Sequence, residues 1–458
     1  MSAARVHDLR LMIVKIINIV LITASFGVCW LLYYAPLLED PYYYNGRFIV
    51  IAVFMIIYYV CCDIYDALYV SLYRITQMIR GQILAVIVAD VSMYFITWVL
   101  NKYAPVFWPF VCVFVTQFFI SVLWSLYSHK WYFNAFPPKK TLIIYDSRQG
   151  LEQLVEEYGL DIKFNLQGSV EIKDFLADME NKTADNEVVF LCGIHSHERN
   201  IIIKYCILHN ITAYIIPRIG DVIMSGAKSV HLFHLPMMQL NRYHPSIFYV
   251  VFKRIFDIFI SGLGLIIFFP LMLIVSVIIR LTDKGPVFYR QIRLTKNGRR
   301  FVMLKFRSMV VNAEADGVAR LSTGDIDGRV TKIGRFIRKV RIDELPQLFN
   351  ILKGDMSFVG PRPERPEIAK EYEKELPEWK LRLQVKAGLT GYAQVYGKYN
   401  STPYDKLQMD LMYIAKPSFF EDLRIILATI KCLMLPESTE GVNKDSISAL
   451  DNNNKKDG

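Results

Sequence analysis

The run 255-IFDIFISGLGLIIFFPLMLIVSVII-279 decides how this chain meets a membrane. It is long enough to cross a bilayer once, which would put everything after it on the far side. Its flanks oppose that. Lys253 and Arg254 precede it, and Arg280, Lys284, Arg290 and Arg293 follow it, so both ends prefer the cytoplasm. Pro270 lies inside the run, where it removes a backbone hydrogen bond and bends a helix. Asp257 near the start resists deep insertion. A helix that enters, breaks at Pro270 and returns to the same face satisfies all of these features, whereas a straight span with a proline kink leaves the charges unexplained.

Upstream, four more apolar runs have spanning length or close to it: 11-LMIVKIINIVLITASFGVCWLLYY-34, 48-FIVIAVFMIIYYVCC-62, 83-ILAVIVADVSMYFITWVL-100 and 106-VFWPFVCVFVTQFFISVLWSLY-127. Tyr and Trp crowd their ends, as in interfacial belts. The first is too long for the apolar core of a signal peptide and reads as a retained anchor. Arg5, Arg10, Arg74, Arg80, Lys130, Lys139 and Lys140 outnumber Arg47 and Lys102 of the opposite loops, which places both ends of this block in the cytoplasm. Lys15 is expected to snorkel and Asp90 to act as helix-packing glue. The whole chain of 458 residues is 53% hydrophobic, 21% charged and carries a net charge of +10, so it suits a membrane protein with soluble parts and anionic partners. Its seven cysteines show no C-x-x-C spacing; Cys29, Cys61, Cys62 and Cys112 fall in or beside apolar runs and read as buried thiols, and a disulfide framework is not expected.

Between the two membrane regions the texture changes. "TLIIYD", "EVVFLCG" and "ITAYIIP" look like buried parallel strands, with "GLEQLVEEYG" and "NIIIKYCILHN" as helices between them, an α/β Rossmann-like layer. The turn "YDSRQGLEQ" lacks the glycines that let a pyrophosphate approach. Cys192, His195 and His197 lack a fourth partner at metal-site spacing and read as turn residues after a strand. The resulting division is a four-helix transmembrane block over 1–132, a regulatory or scaffolding α/β domain over 138–245, a basic third domain over 251–436 and a polar, disordered tail over 437–458.

The third domain holds the residues that point to chemistry. In 338-RKVRIDELPQLFNILKGDMSFVGPRP-363, Leu345, Leu348, Phe349 and Leu352 recur at helical spacing, so a helix is expected to start near Asp343. Asp343 and Glu344 then sit at a helix N-terminus. The dipole, with Arg338 and Arg341, is expected to keep Asp343 ionised. An ionised Asp is a competent nucleophile towards phosphorus, and an adjacent carboxylate can hold a metal. A surface N-cap pair is the bland alternative. The company shifts the balance: Lys305 and Arg307 lie on a strand-like segment, and Arg335, Arg338 and Arg341 on the next one. Pro361 and Pro363 hold the backbone around Arg362 extended, presenting a guanidinium to a base or phosphate. So many cations around one acidic pair suit a pyrophosphate substrate with a bridging Mg²⁺. The same cations would suit nucleic acid, but no helix-turn-helix, finger or RNA-binding pattern accompanies them.

These segments resemble a known family. "KRIFDI", "GPVFYRQIR", "FVMLKFRSM", "VTKIGRFIRKVRIDELPQLFNILKGDMSFVGPRPE", "KAGLTGYAQVYGK" and "MDLMYIAKPSFFEDLRII" are similar, in order, to the bacterial sugar transferases, monotopic polyprenyl-phosphate phosphoglycosyl transferases of capsule, exopolysaccharide and O-antigen synthesis. The N-terminal block and the α/β domain resemble the larger members of that family. The resemblance implies an α+β monotopic catalytic domain with a re-entrant helix broken at Pro270, at the cytoplasmic face of a bacterial inner membrane. It implies that Asp343 attacks a UDP-sugar, that UMP leaves, and that polyprenyl phosphate takes the sugar phosphate from the enzyme. Glu344, with Asp343, would bind Mg²⁺, and Lys305 and Arg341 would support the phosphates or the acidic pair. Arg362, between Pro361 and Pro363, would contact the uridine, with Arg307, Lys398 and Asp410 as further substrate positions. Two sites depart from the family pattern: Ala387 stands where Pro is usual, and Tyr396 and Lys398 stand where Asn-Gly-Arg is common. A lysine does not reproduce a bidentate guanidinium.

Two other classes compete. A non-catalytic membrane scaffold that binds sugar nucleotides needs no nucleophile, and a five-span transporter needs more intramembrane charge and an inverted repeat. The donor sugar has no readable code, and a homodimer is compatible with the layout.

Overall fold

The computed structural model describes residues 3–37, 46–146, 151–157, 159–243, 245–283, 285–311, 328–397 and 402–433. Lys398 and the tail over 437–458 lie outside these residues. The chain forms two compact units, Met1–Ile216 and Pro217–Gly458.

The first unit opens with α1 (Ala3–Cys29), α2 (Gly46–Ile64), α3 (Ile75–Asn101) and α4 (Trp108–Ala135). All four are long and apolar enough to cross a membrane. With lipid as apolar as leucine, packing between such helices needs small residues or polar contacts. One polar chain touches all four. Tyr58 Oη donates to Asn18 Oδ1 (2.8 Å), Asn18 Nδ2 to Gln82 Oε1 (3.2 Å) and Gln82 Nε2 to Ser125 Oγ (3.2 Å). This chain ties the four helices together. Asp90 of α3 is buried too, with the side chain of Gln117 of α4 as its hydrogen-bonding neighbour, in keeping with a helix-packing role. Lys15 places Nζ 4.9 Å over the ring of Tyr69.

The same unit continues into a parallel sheet of β1 (Lys139–Tyr145), β2 (Phe164–Glu171), β3 (Val188–Cys192) and β4 (Thr212–Ile215), in the order β2-β1-β3-β4. Helices α5 (Leu151–Glu157), α6 (Ile172–Ala177), α7 (Met179–Thr183) and α8 (Ser196–Leu208) connect the strands. Thr141–Ile144 of central β1 is buried without interruption, as a strand covered on both faces must be. β2 adds an edge strand the periodicity did not announce, because "FNLQGSVE" is polar and alternates with only one face covered. Cys192 is buried at the end of β3, and His195 Nε2 lies 3.6 Å from Asp146.

The second unit opens at Pro217. Ile219 and Val222 of α9 (Ile219–Ser225) bury against Leu411 and Ile414, so this segment clusters with the C-terminal residues rather than with the parallel sheet. A hairpin, β5 (Lys228–Leu232) and β6 (Leu235–Gln239), follows. Then comes α10 (Ile247–Asp283), the longest element and the fifth helix apolar enough to span.

The expected break is not a gap: the helix runs through Pro270 without interruption. Its two halves nevertheless dock on the same body. In the first half, Arg254 donates to the carbonyls of Ile351 and Leu352 (both 2.7 Å). One turn on, Asp257 Oδ1 accepts from Phe358 N (3.0 Å) and Ser357 Oγ (3.1 Å). In the second half, Met272, Val275 and Ile279 pack on Phe306 and Ile337. A straight helix of this length would extend about 55 Å. Asp257 thus stays out of lipid by taking a strand N–H.

The remaining frame is short. Hairpin β7 (Phe288–Leu294) and β8 (Arg300–Phe306) turns at Asn297 and Gly298, both at positive φ, and its register sets Tyr289 opposite Lys305. Helices α11 (Lys332–Lys339) and α12 (Gln347–Lys353) lead to β9 (Met356–Val359). Helix α13 (Pro366–Glu375) then precedes β10 (Ala387–Thr390), the parallel partner of β9. Helices α14 (Tyr392–Tyr396), α15 (Pro403–Ala415) and α16 (Phe419–Leu433) close the unit around Trp379, Leu407 and Ile425.

Candidate active site

The acidic pair sits between two helices, not at the start of one. α11 is capped by Thr331, whose Oγ1 accepts from Gly334 N (3.0 Å). It ends at Val340, and Arg341 then takes a left-handed conformation with φ +60°. That is strained for a residue with a Cβ, and such strain persists only where surrounding structure imposes it. Ile342–Glu344 form a single 3₁₀ turn, and the α-helix begins only at Gln347 after Pro346. The α-helix therefore starts at Gln347 rather than near Asp343 as expected. A seven-residue helix starting beyond the pair contributes little dipole to it.

Side chains, not the helix, supply the field. Lys305, near the end of β8, donates to Glu344 Oε1 at 2.7 Å and stands 4.0 Å from Asp343 Oδ2. Arg362 Nη2 lies 3.3 Å and Arg341 Nη1 4.0 Å from the same Glu344 oxygen. Three cations thus converge on one carboxylate oxygen, while Asp343 Oδ1 is buried with no hydrogen-bond partner among the described residues. This asymmetry splits the two acids. Burial pushes the Asp343 carboxyl above the usual carboxylate range; Lys305 opposes the rise, Glu344 adds to it, and Arg338 and Arg341 oppose it. Burial acts upward on Glu344 as well, but Lys305, Arg362 and Arg341 outweigh it and hold that carboxyl well below the usual range. The expected pull of Arg338 and Arg341 towards the ionised form of Asp343 is present, led by Lys305, but burial works against it. Two acids driven apart in this way are suited to different tasks.

Arg362 reaches this cluster from a strap of backbone. Pro361 and Pro363 are buried, while the Arg362 side chain between them is 44% exposed. At the root of the strap Gly360 N donates to Thr390 O (2.9 Å), and Gly388 N to Pro361 O (2.9 Å). A Cβ on Gly388 or Gly391 would collide with the Gly360 backbone, so only glycine fits there. The strap also borders a shallow depression lined by Arg362, Glu364, Trp379 and Arg382, but by neither member of the acidic pair.

The other sequence candidates separate. Arg307 lies just past β8, buried, with its guanidinium against Gly285. Asp410 is 1% exposed and bonds Arg382, with Nη2 at 2.7 Å and Nε at 2.9 Å from Oδ2; it lies behind Arg362 rather than beside the acidic pair. Lys398 falls outside the described residues. Ala387, where the family pattern has proline, uses its N–H to donate to Thr295 Oγ1 (3.2 Å), a bond proline cannot make. Sequence reading passed over Arg382 and Arg293, whose role lies in tertiary contacts.

The pair also fits a divalent cation. Mg²⁺ is ordinarily held by one or two carboxylates with substrate phosphates completing its shell. Asp343 has a buried oxygen without a partner, Glu344 lies next to it, and no third acidic, His or Cys ligand joins them among the described residues.

A buried acidic pair under three cations thus lies in a unit that packs along an apolar helix. Residues 248–436 match the family model described as "Bacterial sugar transferase". The chain is 39% identical over 232 residues to UDP-N-acetylgalactosamine-undecaprenyl-phosphate N-acetylgalactosaminephosphotransferase of Aeromonas hydrophila, covering 50% of this chain and 54% of that one. It is 38% identical over 191 residues to UDP-glucose:undecaprenyl-phosphate glucose-1-phosphate transferase of Caulobacter vibrioides, covering 41% and 71%. A galactosyl transferase of Streptococcus agalactiae is 42% identical over 197 residues, covering 41% and 43%. The chain belongs to the bacterial sugar transferase family. It matches about half the length of the larger relatives.

Proposed function

We propose that the protein transfers a sugar 1-phosphate from a UDP-sugar to undecaprenyl phosphate, the initiating step of a surface polysaccharide. The observation that carries this reading is the division of the acidic pair: three cations on Glu344, and an unpartnered oxygen on Asp343. Asp343 attacks the β-phosphorus of the donor. A carboxylate–phosphorus bond forms, the bond from that phosphorus to the bridging oxygen breaks, and UMP departs with the electron pair. An oxygen of undecaprenyl phosphate then attacks the same phosphorus and displaces Asp343 as the free carboxylate. Splitting the transfer in two means that a soluble donor and a lipid acceptor need not be bound together.

Glu344 and Asp343 would hold Mg²⁺, which when bound neutralises phosphate charge and favours the ionised form of Asp343. Lys305 and Arg341 steady the acidic pair, and Arg362 meets the nucleotide side of the donor. We read α10 as re-entrant, since both of its halves pack on one body and its flanking charges prefer one side. The catalytic domain then lies on the cytoplasmic face of the inner membrane. We read the parallel sheet as a Rossmann-like regulatory layer, in keeping with its strand order.

The experiment is UMP release from a panel of UDP-sugars by the full chain in nanodiscs supplied with undecaprenyl phosphate and Mg²⁺. UMP is expected with one donor at least, and none from Asp343→Asn. Release of UDP, or full activity in Asp343→Asn, would overturn the reading.

A further inference from the structure

The strap that carries Arg362 has four consecutive backbone carbonyls, and each has its own donor. Pro361 O is taken by Gly388 N (2.9 Å) and Glu364 O by Leu294 N (3.0 Å). The two between them are taken by side chains: Arg382 Nη2 donates to Arg362 O (3.0 Å), and Arg293 Nη1 to Pro363 O (3.1 Å). Using guanidinium groups to satisfy backbone carbonyls is costly, because each must be desolvated. Arg382 is 4% exposed, with its ring-facing side 4.4 Å over Trp379 and its charge met by Asp410 at 2.7 Å. Arg293 is also largely covered, bonded to Gln291 Oε1 (2.6 Å) and 3.7 Å from Glu364. Neither touches Asp343 or Glu344 in any of these contacts. Both act on the one segment whose exposed side chain does.

We propose that the buried Arg382–Asp410 pair is a positioning device for the nucleotide donor: it locks the carbonyl of Arg362, and so sets where that residue's guanidinium meets the nucleotide side of the donor. Arg293 performs the same service one carbonyl along. An extended Pro-Arg-Pro segment has no secondary-structure ladder of its own to hold it, and prolines remove two of its donors. Without the two guanidinium clamps Arg362 would remain charged but would wander. Misplacement of a binding group by a fraction of an ångström weakens substrate capture more than it alters a nucleophile mounted elsewhere. This inference rests on the proposed transferase activity, because it takes Arg362 to face a UDP-sugar.

The test uses the full chain in nanodiscs with whichever UDP-sugar supports UMP release. Arg382→Lys keeps a cation for Asp410, yet a single ammonium does not reproduce the fork that serves Asp410 and the carbonyl together. The KM for the donor is expected to rise about tenfold in Arg382→Lys while kcat stays within about threefold, as for lost positioning. In an Arg362→Ala background the same change should have no further effect, since a positioning residue has nothing left to position. Independent, multiplicative losses in the double variant, or a fall in kcat with KM unchanged, would overturn the proposal. If Arg382→Lys lowers the thermal midpoint enough to unfold the protein, Arg293→Lys is measured in the same two backgrounds. There too, a rise in KM that vanishes with Arg362→Ala supports the clamp, and any other result removes it. An unmodified protein that releases no UMP with any donor would instead defeat the transferase reading itself.

Discussion

Lys305 Nζ lies 2.7 Å from Glu344 and 4.0 Å from Asp343, reaching from strand β8 to bridge the two adjacent carboxylates of the 3₁₀ turn. It is within ion-pair reach of both acids. Replacing it with alanine leaves the two carboxylates to repel one another in a poorly solvated place. Removing one preorganised charge from an active site typically lowers kcat by about 10²–10³-fold, and Lys305→Ala should fall in that range. Steady-state UMP release, with thermal unfolding as a check on folding, measures it; a loss smaller than tenfold would mean that Arg341 and Arg362 suffice.

Glu344 offers a direct handle on the cation. A chelator should abolish UMP release and added Mg²⁺ restore it. Glu344→Gln keeps an acceptor for Lys305 and Arg362 but halves the negative charge at the site. The Mg²⁺ concentration for half-maximal rate should rise by about 10–100-fold. Activity that persists after chelation would remove metal from the scheme altogether.

Arg341 permits a separation of strain from charge. Its φ of +60° disfavours any residue with a Cβ, whereas glycine adopts it freely. Both Arg341→Gly and Arg341→Ala remove the guanidinium and should lose activity alike. The glycine variant should nonetheless be more stable than the alanine variant by about 1 kcal/mol, read from denaturant or thermal unfolding. Equal stabilities would show that the left-handed turn is not retained in solution.

Arg254 joins the apolar helix to the catalytic body by closing the carbonyl end of α12 at Ile351 and Leu352. Hydrogen bonds from a charged donor are worth about 1.5–3 kcal/mol, so Arg254→Ala should lower the stability of the C-terminal unit by roughly 2 kcal/mol. A drop of several degrees in the thermal midpoint in detergent is the expected result, with the protein still recovered in the membrane fraction.

The elements legible from sequence were those governed by local periodicity or charge. Four N-terminal helices, the central parallel strands and the acidic pair follow from patterns within a few residues of one another. What escaped was set by distance. β2 hides because an edge strand need bury only one face, and Gly168 and Gln167 dilute its apolar signal. The upward push on Asp343 comes first from burial, and Lys305, which opposes it, approaches from elsewhere in the chain and bonds Glu344. Arg293 reads in the sequence only as a flanking charge of the apolar run and Arg382 carries no signal there; only the folded backbone shows that their partners are carbonyls.

Arg254, Asp257 and the apolar stripe of Met272, Val275 and Ile279 all belong to α10, and all are already engaged with the body that carries the acidic pair. Anchor and enzyme are consequently one solid piece. The helix has no freedom to slide or roll in lipid while the site stays still. The depth of Asp343 relative to the bilayer is a fixed dimension of the protein, and where hydrocarbon thickness differs, it is the surrounding lipid that must stretch or thin to meet it.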